Sequence, residues 1–203
     1  MTLTANFSMV AVPRTQKPGE TAIYRSPYCP DKITWDNPAK ADTLYGVYDY
    51  AYKKHANHNM LGAIKPGTEV YEWKRYKQIQ EERELFGSGL LHLYEKHVKK
   101  TYKANKEICA DRPDCFPLGI YSINRPEWVI AEHACVTFGL ISIPLYDTFG
   151  PDAVQYIINH GETPIIVSSI VGIPNILKCA DKCPVLKSKN QNVVYISLRV
   201  APA

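Results

Sequence analysis

The clearest patterning lies in the second half of the chain. Leu118–Ser122, Ile141–Tyr146 and Pro164–Ser168 are short, mainly apolar runs, and each is followed by a helical signal. After the first, Arg125-Pro126-Glu127 puts a proline in a first helical turn, and apolar residues continue from Ala131 to Leu140. After the second, Pro151 and Asp152 open a helix that runs through Asn159 and is closed by Gly161. Ile173 to Cys183 predicts one more helix. Strands buried on both faces read as continuous apolar runs, and their alternation with helices argues for βαβ units. The expected fold class is therefore α/β, a parallel βαβ sheet with flanking helices and right-handed crossovers. Val193–Leu198 is a candidate fourth strand behind a polar stretch, Lys187–Asn192, that fits no strong pattern.

The first half is less regular. Residues 1–40 carry Pro13, Pro18, Pro27, Pro30 and Pro38 and read as an extended Pro-rich arm. Leu44, Val47, Tyr48 and Ala51 recur at helical spacing behind a cap at Asp42, predicting a short amphipathic helix over Thr43–His55 that the stretch Gly62–Gly67 breaks. Val70–Trp73 alternates as a strand does. Gln78–Tyr94 reads as a long helix with Ile79, Phe86, Leu90 and Leu93 on one stripe. Gly87 and Gly89 each weaken that helix by about 1 kcal/mol relative to alanine, which points to something packing closely there. No internal repeat is present.

Composition narrows the function classes. Hydrophobic residues at 45% and charged residues at 22% can fill a core and cover a surface, unlike a disordered chain. The formal net charge of +4 is too small to imply nucleic acid by itself. Six cysteines in a long, core-rich chain read as free thiols in a reducing compartment. Cys179 and Cys183 share a helix face but lack a second pair to complete a zinc site, so no metal ligands are assigned. Met1–Val12 lacks the basic and apolar regions of a secretory signal. The longest apolar stretch, Val129–Tyr146, contains Glu132, His133 and Pro144, which a membrane span does not accommodate easily.

In a parallel sheet the chemistry belongs to loops at the carboxyl ends of the strands, which here are Ser122–Arg125, Asp147–Gly150 and Ser168–Gly172. None of the phosphate-loop, dinucleotide, nucleophile-elbow or metalloprotease motifs is present. Gly87-Ser88-Gly89 reads as helix packing, Asp147 and Thr148 as turn residues, Glu132 and His133 as the solvent side of a helix, and Cys135 as a small buried hydrophobe. No catalytic or cofactor-binding residue is therefore assigned. Lys96, Lys99, Lys100, Lys103 and Lys106, interleaved with Tyr94 and Tyr102, form a basic segment that reads as a solvated helix end or as a contact for an anionic membrane.

Ile120-Tyr121-Ser122-Ile123-Asn124-Arg125-Pro126-Glu127-Trp128 resembles the long-chain acyl-CoA synthetases of the adenylate-forming, AMP-binding superfamily. The resemblance continues through Ile143-Pro144-Leu145-Tyr146-Asp147-Thr148-Phe149-Gly150-Pro151-Asp152-Ala153 and Tyr156-Ile157-Ile158-Asn159-His160. Upstream, Lys17-Pro18-Gly19-Glu20-Thr21 with Tyr24-Arg25, and the helix with Phe86-Gly87-Ser88-Gly89-Leu90, are similar to the family's beginning, so the likeness spans roughly Lys17 to Leu186.

What this resemblance implies is a partial N-terminal domain of an adenylate-forming ligase at 41–187, between the 1–40 arm and a divergent 188–203 tail. The family joins a fatty acid to AMP from ATP with magnesium, then passes the acyl group to CoA, on the cytoplasmic side of endoplasmic reticulum or peroxisome membranes. Its Thr/Ser/Gly-rich phosphate loop ending in Pro-Lys-Gly, its Tyr-Gly-x-Thr-Glu motif and its C-terminal lysine have no counterpart in these 203 residues. Tyr45-Gly46-Val47-Tyr48-Asp49 echoes the second motif without its Thr-Glu and in the wrong place. The expectation is a chain inactive alone. The alternative is a non-catalytic binding or regulatory module that contacts membrane or a full-length partner.

Overall fold

The computed structural model describes residues 8–12, 14–27, 30–31, 40–103, 105–110, 112, 114–186 and 195–198. The chain divides into two compact units, residues 1–41 and 42–203. In the first unit, β1 (Met9–Val12) and β2 (Ile23–Arg25) pair antiparallel with an irregularity between Val10 and Val12. Thr15 closes the pair, its hydroxyl donating to the Val12 carbonyl and accepting from the Ile23 N–H. The Pro-rich stretch thus contains a short ladder that its composition did not suggest.

The second unit begins with α1 (Leu44–His55), capped by Thr43, whose hydroxyl accepts from the Gly46 N–H at 3.1 Å. The cap is one residue later than the expected Asp42. Strands β3 (Asn59–Ile64) and β4 (Tyr71–Arg75) follow as an antiparallel hairpin. Gly62 lies inside β3 instead of breaking the chain: a Cβ there would come within 2.9 Å of the Trp73 ring, so the glycine makes room for the cross-strand tryptophan. Helix α2 (Tyr76–Leu93) runs on into a π-turn over Tyr94–Val98, and α3 (Lys106–Cys109) is one short turn.

The alternating part of the sequence becomes β5 (Pro117–Tyr121), α4 (Pro126–Phe138), β6 (Ile141–Leu145), α5 (Pro151–His160), β7 (Ile165–Ser169), α6 (Ile173–Cys179) and β8 (Tyr195–Leu198). The four strands form one sheet in the order β6-β5-β7-β8, and every pair is parallel. Helix α6 ends before the expected Cys183, and 3-10 turns continue the chain. The expected strand at 193–198 is present as Tyr195–Leu198, while residues 193 and 194 lie outside the described residues. Pro144 is tolerated in β6 because that strand bonds only β5 in the sheet.

From β5 the chain steps to β6 on one side, then crosses back to β7 on the other. With right-handed crossovers, that reversal sends α4 and α5 to opposite faces. The core shows it. Leu118, Ile120, Ile165 and Val167 pack on one face with Ala131 and Cys135 of α4 and Leu90 of α2. Tyr121, Leu145 and Ile166 pack on the other with Val154 and Ile158 of α5 and Ile176 of α6. Gly139 ends α4 at φ +67, the left-handed conformation that favours glycine.

Helix α2 crosses α4 at Gly87, where a Cβ would lie 2.1 Å from the Phe138 ring. The expected close packing is real there. At Gly89 nothing lies within 4 Å, so that half of the expectation fails. The buried stripe of α2 is Ile79, Arg83, Gly87 and Leu90, which includes a charged residue that an apolar template passes over.

Candidate functional site

A cleft of about 340 Å³ opens at the carboxyl ends of the parallel strands, lined by Tyr121, Ile123, Arg125, Asp147 and the segment Ser169–Gly172 with Asn175. Its position follows from topology. The order in which strands are added reverses between β5 and β7, and the loops leaving those two strands diverge to opposite faces and leave a crevice. All three loops named from the sequence contribute to it. Tyr121 and Asn175 were not named, the first because it sits within the apolar strand run and the second because it lies one turn inside a helix.

Tyr121 organises the floor. Its hydroxyl donates to the Phe149 carbonyl at 2.9 Å and accepts from Asn175 Nδ2 at 3.1 Å, tying the β6–α5 loop to α6. Gly172 must be a glycine, since a Cβ there would lie 2.5 Å from Ser168 Oγ and 2.7 Å from the Tyr121 ring. Arg125, at the N-cap of α4, holds Glu127 at 2.7 Å. Burial pushes the Glu127 carboxyl up, but the hydrogen bonds from Arg125 and from its own backbone N–H outweigh it and leave the group below the usual range. The walls are apolar and exposed: Ile123 is 54%, Ile170 60% and Val171 84% accessible. A guanidinium, an amide and hydroxyls between apolar walls fit one end of a nucleotide-sized ligand. Asp147 is the carboxylate among the lining residues, the kind of oxygen donor that holds magnesium together with waters and phosphate oxygens.

Residues 114–199, which include β5 to β8 and the whole cleft, match the family described as AMP-binding enzyme. A peroxisomal acyl-CoA ligase 891 from Penicillium brevicompactum is 31% identical over 183 residues, covering 88% of this chain and 24% of that protein. Over these stretches the chain is similar to AMP-binding enzymes and to acyl-CoA ligases. Long-chain-fatty-acid–CoA ligase 1 of Cavia porcellus is 40% identical over 124 residues, 61% of this chain and 16% of the ligase. The fold agrees: the N-terminal domain of FACL13 from Mycobacterium tuberculosis superposes with a TM-score of 0.55 at 13% identity, over 76% of this chain and 33% of that one. The chain thus spans about a quarter of the length of its first relatives.

Away from the cleft, the chain buries a second polar cluster. Tyr52 and His133 Nδ1 are 2.7 Å apart, Tyr48 stacks on His133 at 3.9 Å, and the Tyr48 hydroxyl donates to Glu132 at 3.4 Å. Arg83, 1% exposed, lies over the Tyr52 ring at 4.3 Å. Glu132 and His133 therefore do not face solvent as expected, because α1 covers that side of α4. Burial, then the Arg83 charge, lowers the His133 pKa to about 4, and burial raises Tyr52 to about 12.

The five described cysteines are free and buried. Burial pushes the Cys135 thiol up to about 12, which suits a packing role. In the basic segment Lys96, Lys99, Lys100 and Lys103 are exposed, on the π-turn and the coil after it rather than on one helix face. Lys99 is already paired with Asp114 at 2.6 Å and with Glu95 at 3.3 Å. No described helix is long and apolar enough to cross a membrane.

Proposed function

We propose that this chain supplies the cleft-bearing part of a fatty acid–CoA ligase, an enzyme that activates a fatty acid with ATP and transfers it to CoA. The observation that carries the reading is the coincidence of the family match with the sheet whose switch point forms the cleft. The cleft takes the adenosine-phosphate end that ATP and CoA share: Ile123, Ile170 and Val171 offer apolar surface to a base, and Arg125 offers charge to a phosphate. The ligase part covers 41–187, between the 1–40 arm and the 188–203 tail.

The chain alone makes no acyl-CoA in this reading, because these 203 residues hold no phosphate loop and no lysine-bearing C-terminal domain, and preorganised stabilisation of developing charge is usually the largest catalytic term. Peroxisomal relatives favour the peroxisome as its place. A weak contact with anionic lipid through Lys96, Lys100, Lys103 and Lys106 accompanies it, worth about 1 kcal/mol for each lysine near the surface. Lys99 contributes less, being engaged by two carboxylates.

The test has two arms. Calorimetry of the purified chain with CoA and with ATP is expected to show binding that Arg125→Ala and Val171→Glu both weaken. Pyrophosphate release with ATP, magnesium, palmitate and CoA is expected to stay at the level of a heat-killed control. Binding indifferent to both substitutions removes the cleft assignment, and release above the control removes the claim of inactivity.

A further inference from the structure

We propose that His55 and His58 form a two-imidazole chelate for a zinc-class divalent cation at the turn between α1 and β3. His55 is the last residue of α1 and His58 directly precedes β3; their Nδ1 atoms stand 3.2 Å apart, with ring centroids 5.3 Å apart and planes 32° from each other. Two nitrogens bound to one tetrahedral zinc ion at about 2.0–2.1 Å lie about 3.3 Å apart. The spacing that the cation requires therefore exists before it arrives. Without metal, the contact is satisfied only when one ring presents N–H and the other a lone pair. A bound cation takes a lone pair from each Nδ1, and both rings then carry their proton on Nε2.

The turn is held rigid from both sides, which reduces the ordering cost of binding. The His58 N–H donates to the His55 carbonyl at 2.8 Å, the Tyr76 N–H to the His58 carbonyl at 3.1 Å, and the Lys77 N–H to the Ala56 carbonyl at 3.0 Å. The Tyr76 ring lies 5.8 Å from that of His55. His58 is exposed and His55 half-buried, so the pair is reachable. The carboxyl end of α1 favours a cation. The two lysines of its last turn are drawn back along the helix, Lys53 by Asp49 at 2.7 Å and Lys54 by the Tyr50 hydroxyl at 2.8 Å.

Imidazole nitrogens select zinc, nickel or copper over magnesium and calcium. No group of three ligating side chains occurs among the described residues, so water completes the coordination and the site stays open. A cation here would clip α1 to the β3–β4 hairpin and steady the helix that carries Tyr48 and Tyr52 over His133.

Zinc chloride titrated into the full chain by calorimetry, at about pH 7.5, is expected to show one site. His55→Ala and His58→Ala should each weaken it at least about tenfold for loss of one inner-sphere ligand, while His160→Ala, which removes a ring stacked on Tyr156, should not. Circular dichroism of each variant establishes that it folds. Copper(II) added instead should show two equatorial nitrogens by electron paramagnetic resonance in the parent and one in His58→Ala. Equal zinc affinity in His58→Ala and the parent, or fewer than two equatorial nitrogens in the parent, overturns the proposal.

Discussion

Acidification should unfold this chain earlier than its carboxylates alone would, because His133 is buried neutral. In the unfolded chain an imidazole titrates near about 6.5. In the folded chain burial at 7% exposure, reinforced by the Arg83 guanidinium, brings it to about 4. The Glu132 carboxylate 3.7 Å from Nε2 does not offset this. Between those two values the unfolded state binds a proton that the folded state refuses, so stability falls as pH falls. The slope approaches about 1.4 kcal/mol per pH unit and the total loss by pH 4 is about 3 kcal/mol, a large part of the 5–15 kcal/mol of an ordinary domain.

Two neighbouring carboxyls act at lower pH or with opposite sign. Burial raises Glu132 against the pull of Tyr48, so its contribution grows as pH falls. The lowered Glu127 loses its contribution only below the ordinary carboxylate range. Between pH 6.5 and 5 the fall in stability comes from His133, and the raised Glu132 opposes it. Urea unfolding followed by tryptophan fluorescence at half-unit pH steps measures it. His133→Gln should flatten the slope in that window even where it lowers stability overall. An unchanged slope in the variant would refute the assignment.

Three further outcomes are expected. Gly87→Ala should destabilise by about 1–3 kcal/mol through overpacking against Phe138, while Gly89→Ala, with open space around it, should stabilise by up to about 1 kcal/mol; thermal melts of both variants separate packing from helix propensity. Tyr121→Phe removes the hydroxyl that joins Phe149 to Asn175 and should cost about 1 kcal/mol in urea unfolding, with a larger proportional loss of nucleotide binding if the cleft floor loosens. Deleting residues 187–203 strips β8 from β7 and leaves an unpaired edge on a buried strand, so size exclusion should show more association than in the parent.

Much of the parallel sheet was legible because a strand covered on both faces must be apolar throughout, as Leu118–Ser122 and Pro164–Ser168 are; Ile141–Tyr146 showed the same kind of run although its edge strand is only partly buried. The cleft's place followed from the same pattern, since strand ends in an open parallel sheet are where loops diverge. The family likeness was carried by contiguous residues such as Asn124-Arg125-Pro126-Glu127-Trp128, which need no tertiary contact to be recognised. Other features depended on partners distant in sequence. Gly62 reads as a break until Trp73 is seen lying over it, and Arg83 reads as surface until Tyr52 and α4 enclose it. His133 looks solvated on a helix wheel because a wheel shows one face toward a sheet and cannot show that α1 covers the other. Periodicity records which side of an element is apolar; only the packed structure decides which polar groups are also enclosed, because that depends on what other elements bring to them.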